Sequence, residues 1–266
     1  MNTGGRTFPF AVIEPDWQGL PAHVRAFSTT RNGGVSLPPY GDARGGGGLN
    51  LGDHVGDAAM AVAANRRLVR DALPAALLAD ITWLSQVHGI IVCDAGASLD
   101  KTVADASSTG QKNVVCAVMT ADCLPVLFSD REGKVVAAAH AGWRGLAAGV
   151  LENTVAHMRA TGAWEIIAWL GPAIGPSQFE VGEDVLRAFA PMLGASGGIS
   201  AYFEPDQDKA GKYQANIYAL ARTVLARAGV QQVYGGKYCT VTEKDKFYSY
   251  RRDGVTGRMA SLIWLE

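Results

Sequence analysis

Three short segments of the sequence each carry one side chain of a type that binds transition metals. His88 lies in Ser-Gln-Val-His-Gly, Cys123 in Thr-Ala-Asp-Cys-Leu-Pro, and His140 in Ala-His-Ala-Gly-Trp-Arg-Gly. The separations, 123 − 88 = 35 and 140 − 123 = 17 residues, are too long for a zinc finger, whose paired ligands lie about two to four residues apart. Two imidazoles and one thiolate leave a fourth tetrahedral position for water or substrate. The pattern therefore favours a catalytic metal over a structural one.

The same residue types fit two other interpretations. A histidine at the end of a strand is commonly a hydrogen-bonded structural residue. Alternatively, Cys123 is a nucleophile with one histidine as its base and no metal. Asp122, next to Cys123, is a candidate for proton transfer or for a hydrogen-bond partner that orients a ligand. Spacing alone does not separate these interpretations.

An anion site is predicted beside His140. Gly142 and Gly145 leave backbone N–H groups open where the chain enters a helix, and Arg144 adds a permanent cation with forked donors. Such groups favour an oxyanion such as phosphate, which makes Arg144 a candidate catalytic and substrate-binding residue. The alternative is an ordinary helix start with a surface arginine.

Two arginine-containing tracts are candidates for closing the pocket. The first, Thr29–Ser36, is a turn that carries Arg31, and the second, Phe247–Gly254, places Arg251 among aromatic residues. Aromatic rings and guanidinium groups both stack on planar bases. The alternative is that these side chains simply lie over a sheet.

Apolar and β-branched runs predict strands, and apolar residues at helical spacing predict helices between them. The helices are expected to begin near Asp57, Gly145 and Asn216. The sequence therefore predicts one α/β domain over residues 1–266, with mixed β-sheet layers flanked by helices. The predicted strands are Val24–Ser28, Ile90–Cys93, Val114–Met119, Val135–Ala139, Ile166–Leu170 and Leu262–Leu265.

Composition narrows the functional classes. Hydrophobic residues make up 48% of the 266 residues and the formal net charge is −1, so we expect a large core and no nucleic-acid or membrane partner. Met1–Phe10 has no apolar leader, and the interrupted apolar run Val114–Phe128 is too short to span a bilayer. The four cysteines are interpreted as reduced thiols of a cytoplasmic protein, either a monomer or a homodimer.

The ordered motifs of the chain resemble the YfiH family, also called the laccase-domain or multicopper polyphenol oxidase family. The resemblance covers nearly the whole chain, although the glycine tract Gly45–Gly48 and the segment Ala215–Ile217 depart from the family pattern. The matching stretches are TTRNGGVS, LNLGDHVGD, NRRL, QVHG, TADCLPV, AHAGWRG, GPAIGP, FEVG, CT and FYSYRRDGVTGRMASLIWL.

The resemblance implies a metal site, a fold and several activities. The family's zinc ligands fall on His88, Cys123 and His140, with copper as the alternative metal, and its fold is one α/β domain with mixed sheets. Its implied reactions are phosphorolysis of adenosine, inosine and 5′-methylthioadenosine by inorganic phosphate, and deamination of adenosine. Editing of a peptidoglycan precursor by an amidase-type hydrolysis and copper-dependent oxidation of phenols are the alternatives.

Two further expectations concern residues around the ligands. Arg31, Asn50 (in the LNLG motif), Arg144 and Arg251 are the candidate substrate-binding residues. Zinc deaminases pair a ligand histidine with a glutamate two residues later, but here Ile90 and Gly142 occupy those positions. The general acid of a deamination is therefore left open.

Overall fold

The protein is described here by a computed structural model of residues 7–73, 81–97, 101–193 and 198–266. Residues 1–6, which belong to the segment in which no apolar leader is expected, lie outside these ranges. The strands are β1 (Val12–Ile13), β2 (Val24–Thr29), β3 (Asn32–Ser36), β4 (Val92–Asp94), β5 (Ala106–Thr109), β6 (Val115–Thr120), β7 (Leu124–Asp130), β8 (Val136–Ala141), β9 (Ile166–Leu170), β10 (Glu180–Gly182), β11 (Phe203–Pro205), β12 (Lys212–Ala215), β13 (Gln232–Gly235) and β14 (Met259–Leu265). The helices are α1 (Ala59–Asp71), α2 (Trp143–Ala148), α3 (Val150–Ala160), α4 (Glu183–Leu193), α5 (Ile217–Arg227) and α6 (Tyr250–Asp253), with 3₁₀ turns at Pro176–Gln178 and Ile199–Ala201.

The strands form three sheets. A six-stranded sheet has the order β13-β9-β7-β8-β5-β4, a four-stranded sheet has the order β1-β2-β14-β6, and a small sheet has the order β10-β12-β11. The six-stranded sheet is mixed, because β13–β9 and β4–β5 pair in parallel while its other pairs are antiparallel. The predicted α/β fold with mixed sheets and flanking helices is confirmed.

Strand alternation explains how the two larger sheets stack. Along β8, Val136 and Ala138 face a core shared with β2, β6 and β14, whereas Ala137 and Ala139 face a core shared with α3 and α5. Side chains on a strand point to opposite faces with period two, so one fully buried strand serves both cores. Helix α1 covers the outer face of the four-stranded sheet through Val69. The layers are therefore helix, sheet, sheet, helix.

Most predicted element positions hold, with informative differences. Asn216 is the N-cap of α5, and its side chain accepts a hydrogen bond from the Ala219 N–H at 3.0 Å. Asp57 does not cap α1, because its carboxylate binds Ser36 and Asn50 instead. Strand β7 escaped prediction because every one of its residues is buried, which leaves no polar alternation to detect.

Candidate metal centre

The three predicted ligands, called the metal triad below, come from one edge of the sheet layers. His140 lies near the end of β8, and Cys123 lies in the turn that joins β6 to β7. Strand β7 pairs antiparallel with β8, with Pro125 opposite His140, which brings Cys123 beside that histidine. His88 lies in the loop before β4. Rigid strands therefore position two of the three ligands.

The loop that carries His88 is fastened to the end of β6. The Gln86 side chain donates to the Met119 carbonyl at 2.8 Å and accepts from the Met119 N–H at 2.7 Å. The Gln86 amide thus satisfies both backbone groups of Met119, as a neighbouring strand would. Because Met119 is four residues before Cys123, the bond fixes the His88 loop relative to the second ligand.

The donor atoms of the triad converge. One ligand atom from each of the three side chains lies within 4.8 Å of the other two, and the Cys123 Sγ is 3.6 Å from the His88 Nε2. Donors on one tetrahedral zinc ion are roughly 3.3–3.8 Å apart, given bonds of about 2.0–2.3 Å. In the described part of the chain, no other group of three such side chains meets this criterion. The residues present therefore fit a single metal ion.

Asp105, which was not predicted as a site residue, holds two members of the triad. One carboxylate oxygen accepts from the His140 Nδ1 at 2.8 Å and from the His88 N–H at 2.9 Å. The other accepts from the backbone N–H groups of Val87 and Gly89 at 3.2 and 2.6 Å. Because Nδ1 of His140 is engaged, Nε2 is left to bind a metal.

Asp122 anchors the turn that presents Cys123. Its backbone has φ 87°, a left-handed conformation that aspartate tolerates better than most residues. Its two oxygens accept from the Thr240 hydroxyl at 2.5 Å and the Arg251 N–H at 2.6 Å. These bonds hold the turn on which Cys123 lies, and both roles predicted for Asp122 stay predictions.

The glycines after His140 allow close packing around the triad. A Cβ on Gly142 would lie 2.6 Å from His88 Cδ2 and 3.1 Å from Cys123 Sγ, and one on Gly145 would lie 2.8 Å from the Gly89 carbonyl oxygen. Both distances below 3.0 Å are closer than real carbon atoms approach. The lack of space for a side chain therefore accounts for both glycines, and the anion site at this helix start stays a prediction.

The charges of the triad are coupled. Burial opposes ionisation of Cys123, but the charge of His140 and hydrogen bonds from both histidines outweigh it and lower the pKa of the thiol to about 6. Burial likewise opposes protonation of His140, yet the Cys123 thiolate and Asp105 raise its pKa to about 9. The pKa of Asp105 is lowered, because His140 and backbone N–H groups outweigh its burial. A thiolate is the form that binds metals.

The metal triad borders a cavity of about 670 Å³, a volume within the usual range for small-molecule sites. The lining combines aromatic, cationic and polar side chains. The residues that line it are Asp53, His54, Arg66, Trp83, Leu84, Ser85, Gln86, His88, Lys101, Met119, Thr120, Ala121, Cys123, His140, Tyr250 and Arg258.

None of the four predicted substrate-binding residues is among those that line this cavity. Arg31 is buried, donates to the Gly41 and Lys244 carbonyls and stacks on Tyr248. Its interactions are those of a structural residue that ties two loops together.

Arg144 and Arg251 are exposed, and their side chains contact residues outside the cavity lining. Arg144 lies over the ring of Trp143, 4.4 Å from its centroid. It is the second residue of α2, which ends after six residues, at Gly149 with φ 106°. Arg251 donates to the Gln178 and Glu180 carbonyls. The phosphate site predicted at this helix start therefore lies outside the cavity lining.

Asn50 does not line the cavity itself but binds the backbone of Arg258, which does. It is fully buried, and its Oδ1 accepts from the Arg258 N–H at 2.8 Å. Arg258 does line the cavity, as do Arg66 and Lys101, and these three cations were missed. No pattern marks them, because arginine and lysine are common and these three come from distant parts of the chain. The only available signal was that Arg66 and Arg258 lie inside the matching stretches NRRL and FYSYRRDGVTGRMASLIWL.

Comparison with known proteins gives a consistent result. The family model described as multi-copper polyphenol oxidoreductase laccase matches residues 25–266. A Haemophilus influenzae protein named purine nucleoside phosphorylase is 48% identical over 256 residues, which cover 96% of this chain and 99% of that protein. An Escherichia coli protein named purine nucleoside phosphorylase YfiH is 51% identical over 255 residues, covering 96% and 98%.

Solved structures agree on the fold. The crystal structure of the Neisseria meningitidis protein NMB0706 is 49% identical, with a TM-score of 0.84 over 96% of this chain and 99% of that one. YlmD from Geobacillus stearothermophilus is 29% identical, with a TM-score of 0.82 over 98% of each chain. Helices long and apolar enough to cross a membrane are absent from the described residues. With a family model spanning most of its length and relatives about half identical to it, this chain belongs to the YfiH family, the multi-copper polyphenol oxidoreductase laccase family.

Proposed function

We propose that this protein is a zinc-dependent purine nucleoside phosphorylase that acts on adenosine, inosine and 5′-methylthioadenosine. The observation that carries the proposal is the convergence of His88, Cys123 and His140 at a cavity that is also lined by cations and aromatic rings. The relatives named purine nucleoside phosphorylase support it. A metal-binding protein that has lost turnover is the non-enzymatic alternative.

The chain's own residues fit the needs of phosphorolysis. His88, Cys123 and His140 would hold the metal, with Asp105 fixing the ring of His140. A metal bound there would polarise a substrate atom or lower the pKa of a bound water. The exposed ring of Tyr250 offers aromatic surface to a purine, and cationic side chains in the lining attract inorganic phosphate. Phosphate then attacks the anomeric carbon of the ribose, and the purine leaves as its glycosidic bond breaks.

Deamination of adenosine completes the proposal. It needs a group that moves protons to the leaving ammonia, and Asp53 is the one carboxylate in the cavity lining of the described residues. Burial raises the pKa of Asp53, but the charges of Arg66 and Lys101 outweigh it and keep the carboxylate ionised. Phosphorolysis therefore needs bound phosphate in this cavity, whereas deamination needs a group that transfers protons.

Two alternative enzymatic functions remain for comparison. The His₂Cys donor set suits copper as well as zinc, but the chain has five histidines in total, which is few for several copper centres. Hydrolysis of a peptidoglycan precursor would use the same triad on an amide. Neither alternative uses inorganic phosphate, which makes phosphate dependence the discriminating property.

The proposed compartment and assembly follow from the chemistry. A metal-binding thiolate and three further free cysteines suit a reducing compartment, so we place the protein in the cytoplasm. We propose that it acts as a monomer or homodimer without a nucleic-acid partner, consistent with its net charge of −1.

The proposal is tested with purified protein whose metal content has been measured. Adenosine, inosine and 5′-methylthioadenosine are each incubated with and without inorganic phosphate, and the products are separated by chromatography. We expect free base and the ribose 1-phosphate only when phosphate is present, and inosine from adenosine in either case. Release of an amino acid from a muropeptide precursor without nucleoside turnover would favour the editing hydrolase. Bound zinc with no turnover of either substrate would favour the binding protein.

A further inference from the structure

The cavity lining carries an excess of positive charge away from the metal triad. Arg66, Lys101 and Arg258, called the cationic cluster below, face a single carboxylate, Asp53. His54 adds no charge at neutral pH, because burial and the nearby Arg258 lower its pKa. A cavity with this balance is suited to an anion rather than to a neutral nucleoside alone.

Asp53 already pairs with two members of the cationic cluster. Its Oδ1 lies 3.5 Å from an Arg66 nitrogen, and its Oδ2 lies 3.3 Å from the Lys101 Nζ. Both pairs are partly exposed, with 35% of the Asp53 side chain and 70% of the Lys101 side chain accessible. Exposed pairs of this geometry contribute little free energy, so an incoming dianion can compete for the same cations.

Arg258 is the member without such a partner. Its Nη1 donates to the Thr256 and Gly257 carbonyls at 3.1 Å each, and no carboxylate of the described residues lies within ion-pair distance. Arg258 lines the same cavity as His88, Cys123 and His140, so its guanidinium shares that cavity with the metal triad. The remaining N–H groups of a guanidinium form a fork suited to phosphate.

The backbone around Arg258 holds it in place. Its N–H donates to the Asn50 side chain at 2.8 Å, and its carbonyl accepts from the Leu51 N–H at 3.1 Å. Gly52 leaves room for it, since a Cβ there would lie 2.7 Å from the Arg258 Cγ. The segment Asn50–Gly52 is therefore the positioning element for this arginine, just before it enters β14.

We infer that the cationic cluster is an oxyanion subsite next to the metal triad, with Arg258 as its principal ligand for inorganic phosphate. Arg66 and Lys101 flank the anion, and their ion pairs with Asp53 are replaced by ion pairs with the phosphate. The inference rests on the proposed function for the identity of the anion. It also relocates the phosphate from the helix start at Arg144, where the sequence predicts it, to a different surface.

The test combines steady-state kinetics with a binding measurement. In the metal-loaded Arg258→Met protein, we expect the KM for phosphate to rise roughly 10- to 100-fold, the range expected for losing charged hydrogen bonds. The KM for adenosine should change less than about 3-fold, and Arg258→Lys should restore part of the phosphate affinity. Arg187→Met, which removes an exposed arginine paired with Glu183 on α4, is the matched control for a lost positive charge.

Phosphate binding is measured independently of turnover, as the rise in melting temperature when inorganic phosphate is added to the metal-loaded protein. We expect this rise in the unaltered protein and in Arg187→Met, and its loss in Arg258→Met. An unchanged phosphate response in Arg258→Met, or a loss in Arg144→Met instead, would overturn the inference. Phosphate binding that depends on Arg258 without any nucleoside turnover would contradict the proposed function and leave the subsite standing.

Discussion

The metal triad and the cationic cluster line the same cavity but are held by different parts of the fold. Cys123 and His140 lie at the ends of paired strands, and the buried carboxylate of Asp105 fixes two of the three ligands. Lys101, by contrast, is 70% exposed and lies outside the strands and helices. The comparison indicates that the protein fixes the geometry of metal binding rigidly and leaves part of its anion site adaptable.

The two regions also differ in what each amino acid must do. Around the triad, space is limiting, and Gly142 is required because a side chain would meet two ligands. Around the cationic cluster, charge is limiting, and Arg258 has no carboxylate within ion-pair distance among the described residues. Substitutions in the first region should change metal affinity, whereas those in the second should change phosphate affinity.

The largest expected effect is that of Cys123→Ala. This change removes the thiolate from a three-ligand set, so bound metal and turnover should both fall by more than the roughly 10- to 100-fold expected for an outer hydrogen-bond partner. Metal content is measured by elemental analysis and turnover by base release. Circular dichroism should show an unchanged fold, and full activity in this variant would show that the assigned chemistry is wrong.

Asp105→Asn should have the next largest effect. The neutral amide keeps the shape but loses the charge that orients His140 and can satisfy fewer of the N–H groups that Asp105 binds. We expect metal affinity to fall about 10- to 100-fold and the free energy of unfolding to fall by about 1–3 kcal/mol. Competition with a chelator measures the affinity. If the variant bound metal as tightly as the unaltered protein, Asp105 would not be needed to orient the metal ligands.

Gly142→Ala tests whether added volume beside the metal triad weakens metal binding and leaves phosphate binding unchanged. The backbone at Gly142 has φ −61°, which alanine adopts freely, so any effect comes from the added methyl group. Its contacts with His88 and Cys123 should weaken metal binding by roughly 10-fold, corresponding to about 1.4 kcal/mol. Phosphate affinity of the metal-loaded variant should stay unchanged. A change in phosphate affinity alone would contradict the separation of the two regions.

Gly52→Ala is the counterpart in the cationic cluster and the smallest effect expected. The new methyl group would displace Arg258, which we expect to raise the KM for phosphate about 3- to 10-fold, since a charged hydrogen bond is weakened but not removed. Metal content should match that of the unaltered protein. If Gly52→Ala lowered metal content and spared phosphate affinity, the positioning role of this segment would be wrong.

The sequence predicted the triad well and the cationic cluster not at all, for physical reasons. Histidine and cysteine are scarce here, with five and four residues in the whole chain, so three of them in distinctive segments stand out. Arg258 is one of 24 basic residues, and only the folded chain brings it to the cavity that Cys123 lines. Asp105 looks unremarkable in sequence because its partners are mainly backbone N–H groups, which have no sequence signature.

Two interpretations of local sequence explain why the phosphate site was predicted at Arg144 and not at the cationic cluster. The apolar pattern through Leu146 and Val150 reads as one helix, but the left-handed backbone at Gly149 divides it after six residues. The glycines beside Arg144 were interpreted as openings for an anion, whereas Gly142 in fact makes room for His88 and Cys123. Steric contacts between distant segments cannot be deduced from spacing along the chain.

The central claim is that His88, Cys123 and His140 share one metal ion and leave a coordination position open to the cavity. X-ray absorption at the zinc edge of the purified, metal-loaded protein tests it most directly. We expect one sulfur at about 2.3 Å and three nitrogen or oxygen neighbours at about 2.0–2.1 Å, with the sulfur lost in Cys123→Ala. A zinc environment without sulfur in the unaltered protein, or one with several sulfurs, would contradict the account.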